Sequence, residues 1–206
     1  MATTENVTVL FTDLVGSTEL ASSLTPEAGD EVRRGHFSVL RQAIAETGGT
    51  EVKNLGDGLM VVFPSTSAAL SCAVGMQQGV DRDNRDLDRP LGLRVGVSIG
   101  EATTEADDYF GDPVIEAARL CAKADGGQIL AADAVRVMAG RRALQEFRSL
   151  GELTLKVDSD LRSRHGVLDW QAEIPHSFGI TPVDRNVVIW ASRLALPRPK
   201  PWGSAP

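Results

Sequence analysis

The chain is poor in the residues that carry metal clusters and redox chemistry, with two cysteines, three histidines and one tyrosine among 206 residues. His36, His165 and His176 are scattered without the spacing of a zinc site. No G-x-x-x-x-G-K-[ST] loop is present, which excludes a P-loop. Apolar runs approaching the roughly 18 residues of a membrane span are absent, and MATTENV lacks the basic and apolar regions of a signal peptide. Basic charge is also scarce: 21 Lys and Arg stand against 28 Asp and Glu, a net charge of -7. That balance argues against a nucleic acid polymer as partner, because phosphate-backbone binding needs clustered cations. A soluble, cytoplasmic protein with no membrane segment is expected. Cys72 and Cys121 sit in apolar, helix-like stretches, ALSCAVGM and AARLCAKA, so both are expected as free thiols.

What is present is an alternation of strands and helices. VTVLF reads as a buried strand ending at Asp13. PEAGDEVRRGHFSVLRQAIAETGG carries Phe37, Leu40, Ile44 and Thr47 at helical spacing before a Gly-Gly stop. TEVKNLGDGLMVVFP holds two extended runs around Asn54 to Gly58, which is hairpin chemistry. A helix over SAALSCAVGMQQGV, a solvated connector from Asp81 to Arg89 and the strand LGLRVGVSIGEA follow. The order is βαββαβ, the ferredoxin-like split unit of an α+β fold, with an antiparallel sheet and helices on one face. Beyond it PVIEAARLCAKA reads as a helix, QILAA as a strand, ADAVRVMAG as a helix, and FRSLGEL to TLK as an extended pair. A main domain over 1–156, a last strand region over 157–175 and a loosely ordered extension over 176–206 are expected. The extension holds five of the ten prolines and two of the three tryptophans.

Asp13 at the end of the first strand and Asp57 at the hairpin tip would meet, since these elements are neighbours at the centre of such a sheet. Two carboxylates brought together repel unless a cation lies between them. Mg²⁺ favours one or two carboxylates plus substrate phosphate oxygens, so the pair points to a phosphate-linked metal site. The small residues after Asp13, Gly16, Ser17 and Thr18, open a helix whose N–H groups can receive phosphate oxygens. Each aspartate also has an ordinary role, Asp13 as a helix N-cap and Asp57 as a turn residue.

FTDLVGST, then VKNLGDGLM, then DDYFGDPVIEAARL, then GELTLK resemble, in order, the signature blocks of class III nucleotidyl cyclase catalytic domains. The resemblance covers roughly residues 5 to 156 and is most similar to actinobacterial, mycobacterial single-domain adenylyl cyclases. It implies the class III cyclase fold and two divalent metal ions, Mg²⁺ or Mn²⁺, held by Asp13, Asp57 and the Leu14 carbonyl. It implies that Lys53 and Asp108 select the base. Lys53 can donate to adenine N1 and Asp108 can accept from its exocyclic amine, so ATP is the expected substrate. Arg119 would stabilise charge on the transferring phosphoryl group and Lys156 would meet the terminal phosphates. The active sites would form at a head-to-tail homodimer interface, two per dimer.

One position departs from the family pattern: Ile115 stands where an asparagine is usual, four residues before Arg119. Isoleucine cannot hydrogen-bond the ribose or the α-phosphate, so a slower enzyme is expected. Two functions follow. The first is an adenylyl cyclase forming 3′,5′-cyclic AMP and pyrophosphate by two-metal catalysis; the second, favoured by Ile115, is a catalytically weak nucleotide-binding module that dimerises and regulates a partner.

Overall fold

The structure is a computed structural model and describes residues 2–86, 90–140, 145–150, 152–154, 187–191 and 193–195. Strand β1 (Thr3–Val15) is followed by the short α1 (Ser17–Ser23) and the long α2 (Pro26–Thr47). Helix α2 starts where the Thr25 hydroxyl accepts from the Ala28 N–H with Pro26 in the first turn, and it stops at Gly48, whose φ of 73° is in the left-handed region. The hairpin of β2 (Thr50–Asn54) and β3 (Leu59–Phe63) leads to α3 (Thr66–Asp83), capped by Ser65. Then come β4 (Gly92–Glu105), β5 (Asp108–Phe110), α4 (Asp112–Lys123), β6 (Ile129–Ala132) and α5 (Asp133–Ala139). Four short strands close the list: β7 (Glu146–Ser149), β8 (Glu152–Thr154), β9 (Val187–Ala191) and β10 (Arg193–Ala195).

Among the described residues the main sheet runs β2-β3-β1-β4-β6-β9-β7, with β5 folded back on β4. The first four strands are antiparallel and form the expected βαββαβ core. Strands β6, β9 and β7 extend the sheet in parallel. One face buries Leu10, Phe63, Val95 and Val97 against Leu40 of α2, Leu70 and Met76 of α3 and Val135 of α5. The opposite face buries Val9, Phe11, Met60 and Val62 against Ala117 and Cys121 of α4. Helix α4 comes so near because β4 carries Gly96 beneath it: a Cβ there would lie 2.1 Å from the Ala117 carbonyl oxygen. Cys72 and Cys121 are buried free thiols, as their apolar surroundings imply.

Four features differ from the sequence reading. Strand β1 does not end at Asp13 but pairs with β4 as far as Val15, because Leu14 and Val15 find partners in Leu93 and Gly92. The connector is partly helical: α3 runs to Asp83, one 3₁₀ turn covers Asn84–Asp86, and the Asn84 side chain holds the Leu91 backbone at 2.8 and 2.7 Å. The three-residue β5 is too short to show a period. Of the stretch 176–206 read as a loose extension, Val187–Ala191 lies within the sheet between β6 and β7, and Arg193–Ala195 pairs with β8.

Candidate active site

Asp13 sits within β1 on the same face as Phe11, two residues earlier, and so beneath α4. It is not the cap of α1, where Gly16 is the N-cap with φ 75° and no side-chain hydrogen bond. The hairpin reaches it because Gly58 lets β3 approach β1: a Cβ at Gly58 would stand 1.8 Å from the Thr12 carbonyl oxygen. The Thr12 hydroxyl accepts from the Leu59 N–H at 2.9 Å and fixes that approach. In the turn itself Gly56 takes the positive φ of 100°, its N–H held by the Asn54 side chain at 2.9 Å.

Asp57 therefore arrives beside Asp13, and the Ser17 hydroxyl donates to Asp57 Oδ2 at 2.7 Å. Burial raises the Asp13 pKa above its ordinary value, the Arg94 guanidinium lowers it, and the Asp57 charge raises it again, with a net upward shift. Arg94 is the residue that the sequence reading missed. It is the β4 partner of Asp13 in register, its Nε donates to Asp13 Oδ2 at 2.5 Å, and its Nη2 pairs with the same oxygen. Its Nη1 also reaches the Ala122 carbonyl near the end of α4, 3.5 Å away. No local pattern marks Arg94, since its partner lies 81 positions away.

A buried carboxylate, Asp13, and a half-buried one, Asp57, drawn together and answered by one guanidinium make a place where positive charge is needed. Among the described residues no group of three or more His, Cys, Asp or Glu is gathered. The donor set thus fits a hard cation completed by backbone and substrate oxygens rather than an all-protein cage. Leu14 is buried beside the pair; Gly16 and Thr18 are exposed at the start of α1. The Ser17 side chain is engaged by Asp57.

A second cluster forms on the strands flanking this one. Lys53 Nζ lies 2.5 Å from Asp108 Oδ2 and 5.9 Å from the Phe110 ring centroid. Register explains how Lys53 gets there. Glu51 pairs opposite Val61 and Lys53 opposite Met60, so Val52 is an extra residue, a β-bulge. Residues two apart in a regular strand share a face; here the bulge turns Glu51 toward Arg41 of α2, at 2.8 Å, and Lys53 toward β5. Asp108 follows a two-residue turn in which Ala106 and Asp107 both have positive φ, 50° and 63°, the backbone of a type I′ hairpin. The Tyr109 hydroxyl then ties β5 to Glu5 of β1 at 3.0 Å.

Arg119 is half-buried on α4, and Ile115 occupies the same helix. The neighbouring Glu116 accepts a hydrogen bond from the Ser98 hydroxyl, and burial raises its pKa. Ser98 belongs to Gly96-Val97-Ser98-Ile99-Gly100, which matches the G-x-S-x-G pattern of hydrolase nucleophiles. It is no such elbow, because Ser98 is fully buried in the middle of β4 rather than on a strand-to-helix turn. Lys156 lies outside the described residues.

The sequence profile of the adenylate and guanylate cyclase catalytic domain matches residues 1–169. The chain belongs to this class III cyclase family. It is 36% identical over 153 residues to an adenylate cyclase of Podospora anserina, covering 62% of this chain and 7% of that protein. It is 35% identical over 134 residues to a pH-sensitive adenylate cyclase of Mycobacterium tuberculosis, covering 65% and 32% of the two chains. The cyclase chain thus spans under a tenth of the fungal relative and about a third of the mycobacterial one. Among solved structures, an adenylate/guanylate cyclase/hydrolase of Silicibacter pomeroyi aligns with a TM-score of 0.69 at 30% identity, over 76% of this chain and 92% of that one. The cyclase fold is accordingly the α+β arrangement described above. Among the described residues no helix is long and apolar enough to cross a membrane.

Proposed function

We propose that this cyclase domain is an adenylyl cyclase, which converts ATP to 3′,5′-cyclic AMP and pyrophosphate at sites shared between two copies of the chain. The observation that carries the choice of ATP is the Lys53–Asp108 pair, a donor and an acceptor held 2.5 Å apart on two hairpins of one chain. Adenine presents an acceptor at N1 and a donor at its exocyclic amine, which Lys53 and Asp108 complement; guanine presents a donor and an acceptor in those places. Without nucleotide the two side chains satisfy each other.

Asp13 and Asp57, with the Leu14 carbonyl, would hold two divalent ions, Mg²⁺ or Mn²⁺. These would lower the pKa of the ribose 3′ hydroxyl and neutralise the triphosphate. In the reaction the 3′ oxygen bonds to the α-phosphorus, the bond from that phosphorus to the bridging oxygen breaks, and pyrophosphate departs while the 3′ proton is lost. The polypeptide's part is to place and to balance charge: Ser17 fixes the Asp57 carboxylate, and Arg119 and Lys156 supply positive charge to the phosphoryl oxygens. Metal-binding and base-reading residues would come from opposite chains of the homodimer, so a lone chain would be inactive.

The second reading, a nucleotide-binding dimer that regulates a partner with little turnover, is favoured by one observation: Ile115 offers no hydrogen bond where ribose and α-phosphate need positioning. Cyclic nucleotide formation from ATP and GTP with Mn²⁺ tests the first reading. Cyclic AMP production supports it, and its absence from a folded, dimeric protein leaves the second.

A further inference from the structure

Arg94 holds Asp13 through two nitrogens that share one carboxylate oxygen, and the pair is largely out of water: Asp13 is 5% exposed and the Arg94 side chain 21%. With Asp57 alongside, the pocket contains two negative charges and one positive. Arg94 grips one of the two Asp13 oxygens, and whether a cation took that oxygen or the other, a guanidinium and a divalent ion a few ångströms apart repel strongly in a poorly solvated pocket. The two therefore compete. Ala122 gives the guanidinium an alternative acceptor, 3.5 Å from Nη1, in the last turn of α4, where the helix dipole favours a cation.

We propose that Arg94 is the resident counter-ion of the carboxylate pair and that a divalent cation binds by displacing it from Asp13. This rests on reading Asp13 and Asp57 as metal ligands. Arg94 keeps the metal-free chain folded by neutralising a buried carboxylate, and for the same reason it weakens cation binding in the absence of nucleotide. The strength of one side-chain pair thus sets how readily the site loads.

The test uses the full chain without nucleotide, with Mn²⁺ as probe: free Mn²⁺ is measured by electron paramagnetic resonance during titration, beside thermal melts with and without Mn²⁺. Arg94→Met is expected to bind Mn²⁺ about tenfold more tightly than the parent, the scale of one lost charge-assisted pair. It should melt lower without Mn²⁺ and regain more on its addition. Arg94→Lys, which keeps the charge but loses the two-nitrogen grip, should fall between them and serves if Arg94→Met does not fold. Unchanged or weaker Mn²⁺ binding in the folded variants would overturn the proposal while leaving the metal site itself intact. An Asp13→Asn chain that binds Mn²⁺ as the parent does would instead overturn the reading of Asp13 as a ligand.

Discussion

Lys53 Nζ and Asp108 Oδ2 are 2.5 Å apart, which joins the edge of the β2–β3 hairpin to the β4–β5 hairpin within one chain. The contact depends on an inserted residue at Val52 and on two residues with positive φ at Ala106 and Asp107. Both devices aim a charged side chain, and the inserted Val52 also packs against the core beneath α4. The pair is partly solvated, so it contributes little to stability.

Lys53→Gln and Asp108→Asn should each lower kcat/KM for ATP by about 10- to 100-fold, the scale of one hydrogen bond to a charged group. GTP should lose less, so the ATP-to-GTP ratio should shrink. Steady-state kinetics with both nucleotides checks this; equal losses for the two would mean that these residues position the triphosphate and do not read the base.

Gly58→Ala should cost at least about 2 kcal/mol, because the new methyl group meets a backbone oxygen that cannot move without parting β1 from β3. Activity should fall further than stability, since Asp57 withdraws from Asp13. Urea denaturation beside an assay of the folded fraction measures both.

His36 is buried on α2, and among the described residues neither ring nitrogen has a hydrogen-bond partner. Burial lowers its pKa from 6.5 to about 4, against a weaker upward pull from Asp57 and Asp83. The unfolded chain takes up a proton below pH 6.5 that the folded chain refuses until about pH 4. Stability should therefore decline as pH falls through that window, by up to about 3 kcal/mol, and level off below it. Denaturation at pH 7 and pH 5 should show the decline, and His36→Leu should flatten this contribution.

The βαββαβ order was legible because α2 and α3 have strong apolar periods, Gly48 ends α2, and the β2–β3 hairpin carries turn residues. Asp13 and Asp57 were legible as a pair once those elements were placed side by side. Arg94 was not, because its partner is set by strand register across 81 positions, and LRVGVSIG looks the same whether that arginine faces solvent or a carboxylate. Strand β5 was missed because three residues carry no period and its turn is Ala-Asp, without the Asn-Gly signal of a type I′ hairpin. Val187–Ala191 was passed over because its apolar run stands in proline-rich surroundings.

Ile115→Asn should raise kcat by about tenfold or more if the domain is an enzyme limited by substrate placement, given what single positioning donors contribute elsewhere. KM should move less. A chain that only binds nucleotide would yield no product with either residue.

The central claim is tested most directly by cyclic nucleotide formation from ATP with Mn²⁺, run across protein concentration beside an Asp13→Ala control. The account predicts cyclic AMP at a rate that rises more steeply than protein concentration and disappears in the control. Absence of cyclic AMP from a folded, dimeric parent, or an undiminished rate in Asp13→Ala, would contradict it.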